Sequence, residues 1–185
     1  FFGHKACAGC GGSLAVRAAL KVLGPNAVAA LPAGCMSAVG FNFPQLSFAN
    51  NAMITPFAAT ASVLTGIEAG LRAQGIKPDD CTVVGFAGDG GTADIGLQAL
   101  SGAIDRNDDV LYICYDNEAY MNTGVQRSSA TPPAARTATT QVAGDEPGNA
   151  WGQGKDVPLI AMAHGIPYVA TATVADLRDL ERKVT

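Results

Sequence analysis

"GFAGDGGTADIG", residues 85–96, decides the fold. The apolar run CTVVGFAG (81–88) ends in Gly88-Asp89-Gly90. It gives way to TADIGLQALSGAIDRN (92–107), whose apolar residues recur at helical spacing. A strand that turns through glycines into a helix brings backbone close to a ligand and offers free N–H groups to an anion. Asp89 adds a carboxylate suited to a hard cation. Taken alone, Gly-Asp-Gly is a common turn, so the rest of the chain must supply the context.

Outward from this point, short apolar runs alternate with amphipathic stretches. AVAAL (27–31), VLYICYD (110–116) and PYVATAT (167–173) read, like 81–88, as buried strands of a parallel sheet. GSLAVRAALKVLG (12–24), FAATASVLTGIEAGLRAQG (57–75), KDVPLIAMAHG (155–165) and VADLRDLERKV (174–184) read, like 92–107, as helices, and the first two stop at a glycine. This alternation predicts an α/β fold, an open, mostly parallel sheet flanked by helices, with ligands at the carboxyl ends of the strands. Residues 127–155 have no period and are rich in Thr, Ala, Gly and Pro. A segment this long is either a functional or mobile loop, or a solvated excursion. There is no internal repeat.

The bulk properties narrow the function. At 185 residues the chain suits a single domain, 1–185, with a real core. A net charge of −4, a pI near 5.0 and the lack of a Lys/Arg cluster argue against nucleic acid or anionic membrane as partners. No long apolar run or signal-like segment is present, and a cytoplasmic location is expected. The opening at Phe1 and the stop inside an apparent helix at Thr185 predict a segment of a longer polypeptide. Of five cysteines, Cys81 and Cys114 fall in β-branched runs and read as inert core thiols. Cys7, Cys10 and Cys35 cluster near the start. Their spacing alone fits a redox dithiol, part of a zinc site, or part of an iron–sulfur centre.

A second motif supplies the missing context. YDNEAYMNTG (115–124) places Asn117 28 residues after Asp89, one strand further on. A carboxylate, an amide oxygen and a nearby carbonyl from adjacent strand ends make half an octahedron for Mg²⁺, with diphosphate and water to complete it. This pattern resembles the signature of thiamine diphosphate enzymes. Together with ACAGCGG (6–12), AGC (33–35) and AHGIPYVATA (163–172), the two motifs resemble the β subunit of 2-oxoacid:ferredoxin oxidoreductases of the pyruvate synthase type. The resemblance covers nearly the whole chain and is weakest at 41–56 and 134–155.

The resemblance implies a thiamine diphosphate-binding fold and a set of site residues. Asp89 and Asn117 would bind Mg²⁺ through side chains and Ala119 through its carbonyl. Amides around Gly88, Gly90 and Gly91 would receive the diphosphate. Asn122 and Thr123 match the stretch that contacts diphosphate and substrate, with Asn122 as the expected catalytic contact and a turn-stabilising Asn as its alternative. The backbone of Gly34, Cys35 and Met36 would lie against the thiazolium ring. Within the N-terminal motif at 4–35, Cys7, Cys10 and Cys35 would supply three ligands of a [4Fe–4S] cluster, the fourth lying beyond Thr185. His4 is expected to make a structural hydrogen bond and His164 to sit at a helix end. Arg127 and Arg136 are further candidates for a carboxylate, substrate or CoA.

The activity implied is oxidative decarboxylation of a 2-oxoacid, with single electrons passing through the cluster to ferredoxin and the acyl unit to coenzyme A. Other subunits would carry further ferredoxin-like clusters. An α-type chain would supply the glutamate that activates the aminopyrimidine ring, because neither Glu68 nor Glu118 is placed to do so. The stretch FNFPQLSFANNAMITP (41–56) lacks the acidic residue the pyruvate-type pattern carries there, leaving pyruvate, another 2-oxoacid or oxalate as substrates. Two other classes compete. One is a non-redox thiamine diphosphate decarboxylase or synthase with structural zinc. The other is a non-enzymatic module whose Gly-Asp-Gly is only a turn.

Overall fold

A computed structural model describes residues 1–185. Four parallel strands form the central sheet: β1 (Val28–Pro32), β4 (Asn51–Thr55), β5 (Val83–Gly88) and β6 (Leu111–Tyr115), in spatial order β4-β1-β5-β6. Two two-stranded ribbons stand apart from it: β2 (Phe41–Asn42) with β3 (Gln45–Leu46), and β7 (Ala119–Tyr120) with β8 (Gln126–Arg127).

Strand alternation sends neighbouring side chains to opposite faces, and each face meets its own helices. Ala29, Leu31, Val84 and Phe86 pack against Val16, Ala19 and Leu20 of α1 (Gly11–Leu23). Ala30 and Val83 meet Leu64 of α3 (Thr60–Ala73) on the other side. Ala61 of α3 then packs on Leu100 and Ala103 of α4 (Leu97–Asp105). Small residues on the strands let the helices lie close, which is where the alanine-rich composition is spent. α1 ends at Gly24, whose φ of +74° suits glycine. Two further helices, α5 (Val157–Ala163) and α6 (Leu177–Val184), close the chain, with α6 lying on α1 and Lys21 Nζ 3.0 Å from Glu181 Oε1.

The predicted α/β architecture is the one observed, with four local corrections. Residues 167–173 do not form a strand. They are mostly exposed and tied to α6, with Lys183 Nζ donating to Thr171 O at 2.6 Å and the Tyr168 hydroxyl to Lys183 O at 3.0 Å. Their β-branched character had no sheet neighbour to meet. The edge strand β4 lies instead in NAMIT, and the six-residue helix α2 (Cys35–Gly40) begins at the third clustered cysteine. Finally, Cys81 lies just before β5 rather than in it, and both Cys81 and Cys114 are half-buried rather than fully enclosed.

Candidate functional site

From β1 the chain passes to β4 on one side and then to β5 on the other. The crevice beyond the carboxyl ends of β1 and β5 is therefore the switch point where open α/β sheets bind ligands. A cleft of about 380 Å³ opens there. It is lined by Gly34 and Cys35 after β1, by Gly88 at the end of β5 with Gly90 and Gly91 beyond it, and by Asn117, Ala119, Asn122 and Thr123 after β6. Nine sequence-predicted residues thus surround one space. Met36 and Asp89 lie behind its wall, 1% and 2% exposed.

The helix after Asp89 starts as a single wide turn, Gly90–Asp94, before α4. Such π-type turns are frequent at functional sites. Here a methyl group on Gly96 would stand 2.1 Å from the Gly91 carbonyl oxygen, so only glycine lets the turn close on itself. Gly90 is packed from behind by the Tyr120 ring.

Asp89 is the buried charge of the site. Its Oδ2 accepts a hydrogen bond from Ser128 Oγ. Burial pushes its carboxyl up to about 6, a rise the Ser128 bond opposes and the nearby Asp116 charge reinforces. On its other side, the end of the Asn117 amide placed as oxygen lies 3.0 Å from Asp89 Oδ1 and 2.9 Å from the Ala119 carbonyl oxygen. Turned over, the same amide would donate to both. The amide can therefore satisfy the two oxygens with its NH₂, or join them with its oxygen around a cation. Adjacent ligands of an octahedral ion held at about 2.1 Å stand about 3.0 Å apart, the spacing found here. One carboxylate, one amide and one carbonyl make a hard donor set of the Mg²⁺ kind.

The cysteine motif adjoins this site. Cys10 caps α1, its Sγ accepting from Ser13 N at 3.4 Å, and its own N–H bonds to Cys7 O at 3.1 Å. Cys35 opens α2 and faces the cleft. Its thiol is pushed up by burial, then by the neighbouring Cys10 and Cys7 and by Asp89, so the three sulfurs and the carboxylate share one region. No three His, Cys, Asp or Glu side chains converge on a single ion position. A cubane cluster spreads its thiolates more widely than one ion does, since each binds a different iron. Tyr115 joins the two halves. Its ring lies against Gly12, beyond Cys10, and against Gly88, before Asp89.

Other candidates fall outside the site. His4 accepts from Ala6 N at 3.2 Å and stacks on Phe1, a structural role, and His164 caps α5. Arg127 bonds Asn149 Oδ1 at 3.1 Å beneath Trp151, and Arg136 bonds Gln141. Glu68 is buried and paired with Arg72 on α3. Glu118 is exposed at φ +67°. Sequence reasoning passed over Pro32, Phe57, Tyr115 and Tyr120, which form the apolar walls. Only the proximity of the two tyrosines to the Asp-Asn motif signalled them.

This sheet, switch point and cleft are those of a nucleotide-like cofactor-binding α/β domain, and comparison with known proteins assigns the class. The "Thiamine pyrophosphate enzyme, C-terminal TPP binding domain" family matches residues 32–185, and the chain belongs to it. Among its relatives, pyruvate synthase subunit PorB of Methanothermobacter thermautotrophicus is 50% identical over 98% of this chain and 62% of the relative. Ketoisovalerate oxidoreductase subunit VorB of Pyrococcus horikoshii is 50% identical over 100% of this chain and 60% of the relative. The chain thus spans about three-fifths of these curated relatives. A solved 2-oxoglutarate:ferredoxin oxidoreductase from Magnetococcus marinus, with 2-oxoglutarate, coenzyme A and succinyl-CoA bound, shares the fold at TM-score 0.75 and 24% identity, over 97% of this chain and 58% of that one. The resemblance read from the motifs is borne out, and no helix is long and apolar enough to cross a membrane.

Proposed function

We propose that this chain is the thiamine diphosphate-binding domain, residues 1–185, of a longer subunit of a cytoplasmic 2-oxoacid:ferredoxin oxidoreductase. The observation that carries the reading is that one end of the Asn117 amide lies 3.0 Å from Asp89 Oδ1 and 2.9 Å from the Ala119 carbonyl oxygen at the switch point. Asp89, Asn117 and the Ala119 carbonyl would hold Mg²⁺, and the amides at Gly88, Gly90 and Gly91 would face the diphosphate. Cys7, Cys10 and Cys35 would supply three of the four thiolates of a [4Fe–4S] cluster beside the cofactor. When bound, thiamine diphosphate accepts the electron pair left on the substrate by loss of CO₂. The chain's own work is to orient that cofactor, to wall it with Phe57, Tyr115 and Tyr120 against water, and to present Asn122 and Thr123 at the mouth toward the substrate. Ferredoxin, coenzyme A and an α-type chain carrying the activating glutamate complete the system.

Equal identity to a pyruvate synthase subunit and a ketoisovalerate oxidoreductase subunit favours keeping two substrates in view, pyruvate and a branched 2-oxoacid. The test is anaerobic purification of the full-length subunit with its partners. It should be brown, give an EPR signal on reduction, contain thiamine diphosphate and Mg²⁺, and reduce ferredoxin with one member of a 2-oxoacid panel that includes oxalate. A colourless, zinc-containing preparation that decarboxylates without reducing an acceptor would overturn the redox reading.

A further inference from the structure

The aperiodic segment 127–155 carries buried polar side chains instead of an apolar core. Ser128 and Thr131 are both 0% exposed, and both reach the proposed cation site from this segment. The proton bookkeeping around them is complete. Ser128 Oγ accepts the Ala130 N–H at 3.1 Å, which leaves its own hydroxyl hydrogen to donate to Asp89 Oδ2. Thr131 Oγ1 accepts the Ser128 N–H at 2.9 Å and donates to the Glu118 carbonyl at 2.5 Å. Glu118 is the residue between Asn117 and Ala119, and its φ of +67° is one a non-glycine residue keeps only where its surroundings hold it.

We propose that Ser128 and Thr131 are positioning residues that set the cation site from outside it. Ser128 fixes one carboxylate oxygen of Asp89, so that the other, Oδ1, faces Asn117. Thr131 fixes the left-handed Glu118 peptide, so that the Asn117 amide meets both that same Oδ1 and the Ala119 carbonyl on the far side of Glu118. The Ser128 N–H to Thr131 bond ties the two actions together. The four-residue stretch SSAT thus stands across the gap between the β5 and β6 ends and sets the spacing of the three donors. Hydrogen-bonded partners of metal ligands commonly influence affinity by roughly 10- to 100-fold. The inference rests on reading Asp89, Asn117 and Ala119 as ligands.

The experiment uses the full-length subunit with its partners, stripped of metal and titrated with Mg²⁺ at saturating thiamine diphosphate. Ser128→Ala and Thr131→Val should each weaken Mg²⁺ binding by roughly 10- to 100-fold. Thr131→Ser keeps the hydroxyl and should restore affinity to about the wild-type value. Thr140→Val removes a buried bond to Ala135 O elsewhere in the segment, and should lower the melting temperature without changing Mg²⁺ affinity. Should Ser128→Ala fail to fold, the Thr131→Val and Thr131→Ser pair decides. Wild-type affinity in Ser128→Ala and Thr131→Val, or an equal loss in Thr140→Val, overturns the positioning role while leaving the site reading in place. Wild-type affinity in Asp89→Ala overturns the site reading itself, and the positioning role with it.

Discussion

The Asn117 side chain lies 3.0 Å from Asp89 Oδ1, although the two residues are 28 apart and sit at the ends of different strands. Parallel pairing of β5 with β6, which aligns Gly88 with Tyr115, brings them together. Burial raises the Asp89 carboxyl to about 6, against its Ser128 hydrogen bond and with the Asp116 charge nearby.

That shift has a definite sign. The folded value lies above the unfolded one of 3.8, so the group's stabilising contribution is fully present below pH 3.8 and is lost as pH rises through about 6. That rise corresponds to on the order of 3 kcal/mol. Metal-free Asp89→Asn should therefore be more stable than metal-free wild type at pH 7, with the gap closing toward pH 4. Denaturant midpoints at the two pH values check this, and the subtraction removes Asp94 and Asp108, which shift the other way. A gap independent of pH would contradict it.

The cysteines should separate by consequence. Cys35→Ser should cost iron while thiamine diphosphate binding persists. Cys114, raised to about 12 by burial, should when changed to Ser lose on the order of 1–3 kcal/mol of stability and keep its iron. Iron content and chemical denaturation measure the two effects. Iron loss from Cys114→Ser but not from Cys35→Ser would reverse the ligand assignment.

Gly96→Ala is a steric test of the wide turn after Asp89. Its methyl would stand 2.1 Å from Gly91 O, a backbone atom that cannot swing aside. Loss on the order of 3 kcal/mol is expected, at the upper end of overpacking costs, because the wide turn must unwind. Gly66→Ala, in the middle of α3 with nothing within 4 Å, should be neutral or stabilising because alanine is the better helix former. Thermal melts of the two variants give the comparison.

How much of this was legible in the sequence follows from how each part is held. β1, β5 and β6 announce themselves because buried parallel strands are continuous apolar runs. β4 does not, because NAMIT is an edge strand that opens on asparagines, with Met53 and Ile54 exposed. PYVATAT misleads for the converse reason, having strand-forming residues but no strand to pair with. The Asp-Asn site was readable because its ligands lie within short, glycine-marked motifs. Ser128, Thr131 and Asn149 were not, since side-chain hydrogen bonds in an aperiodic segment leave no spacing pattern. The Asn149 amide, 1% exposed and bonded to the Thr131 and Pro132 carbonyls, shows how completely such bonds replace an apolar core there.

Phe43 is 97% and Leu46 62% exposed on the β2–β3 ribbon, and Met53 and Ile54 of the edge strand β4 are exposed as well. We expect this surface to meet the partner chain that brings the activating glutamate. Phe43→Asp with Leu46→Asp should weaken co-purification of the partner and leave the fold of this chain unchanged by circular dichroism. Undiminished assembly would place the partner elsewhere. By the same reasoning, the full-length subunit without its partner should not reduce dye with any 2-oxoacid.

Thiamine diphosphate and Mg²⁺ bound per subunit, measured on the intact anaerobic complex for wild type, Asp89→Ala and Cys35→Ser, tests the central claim most directly. The account predicts one of each in wild type, neither retained in Asp89→Ala although its iron remains, and both retained in Cys35→Ser although its iron is lost. Asp89→Ala that keeps its cofactor and Mg²⁺ at wild-type levels would contradict it.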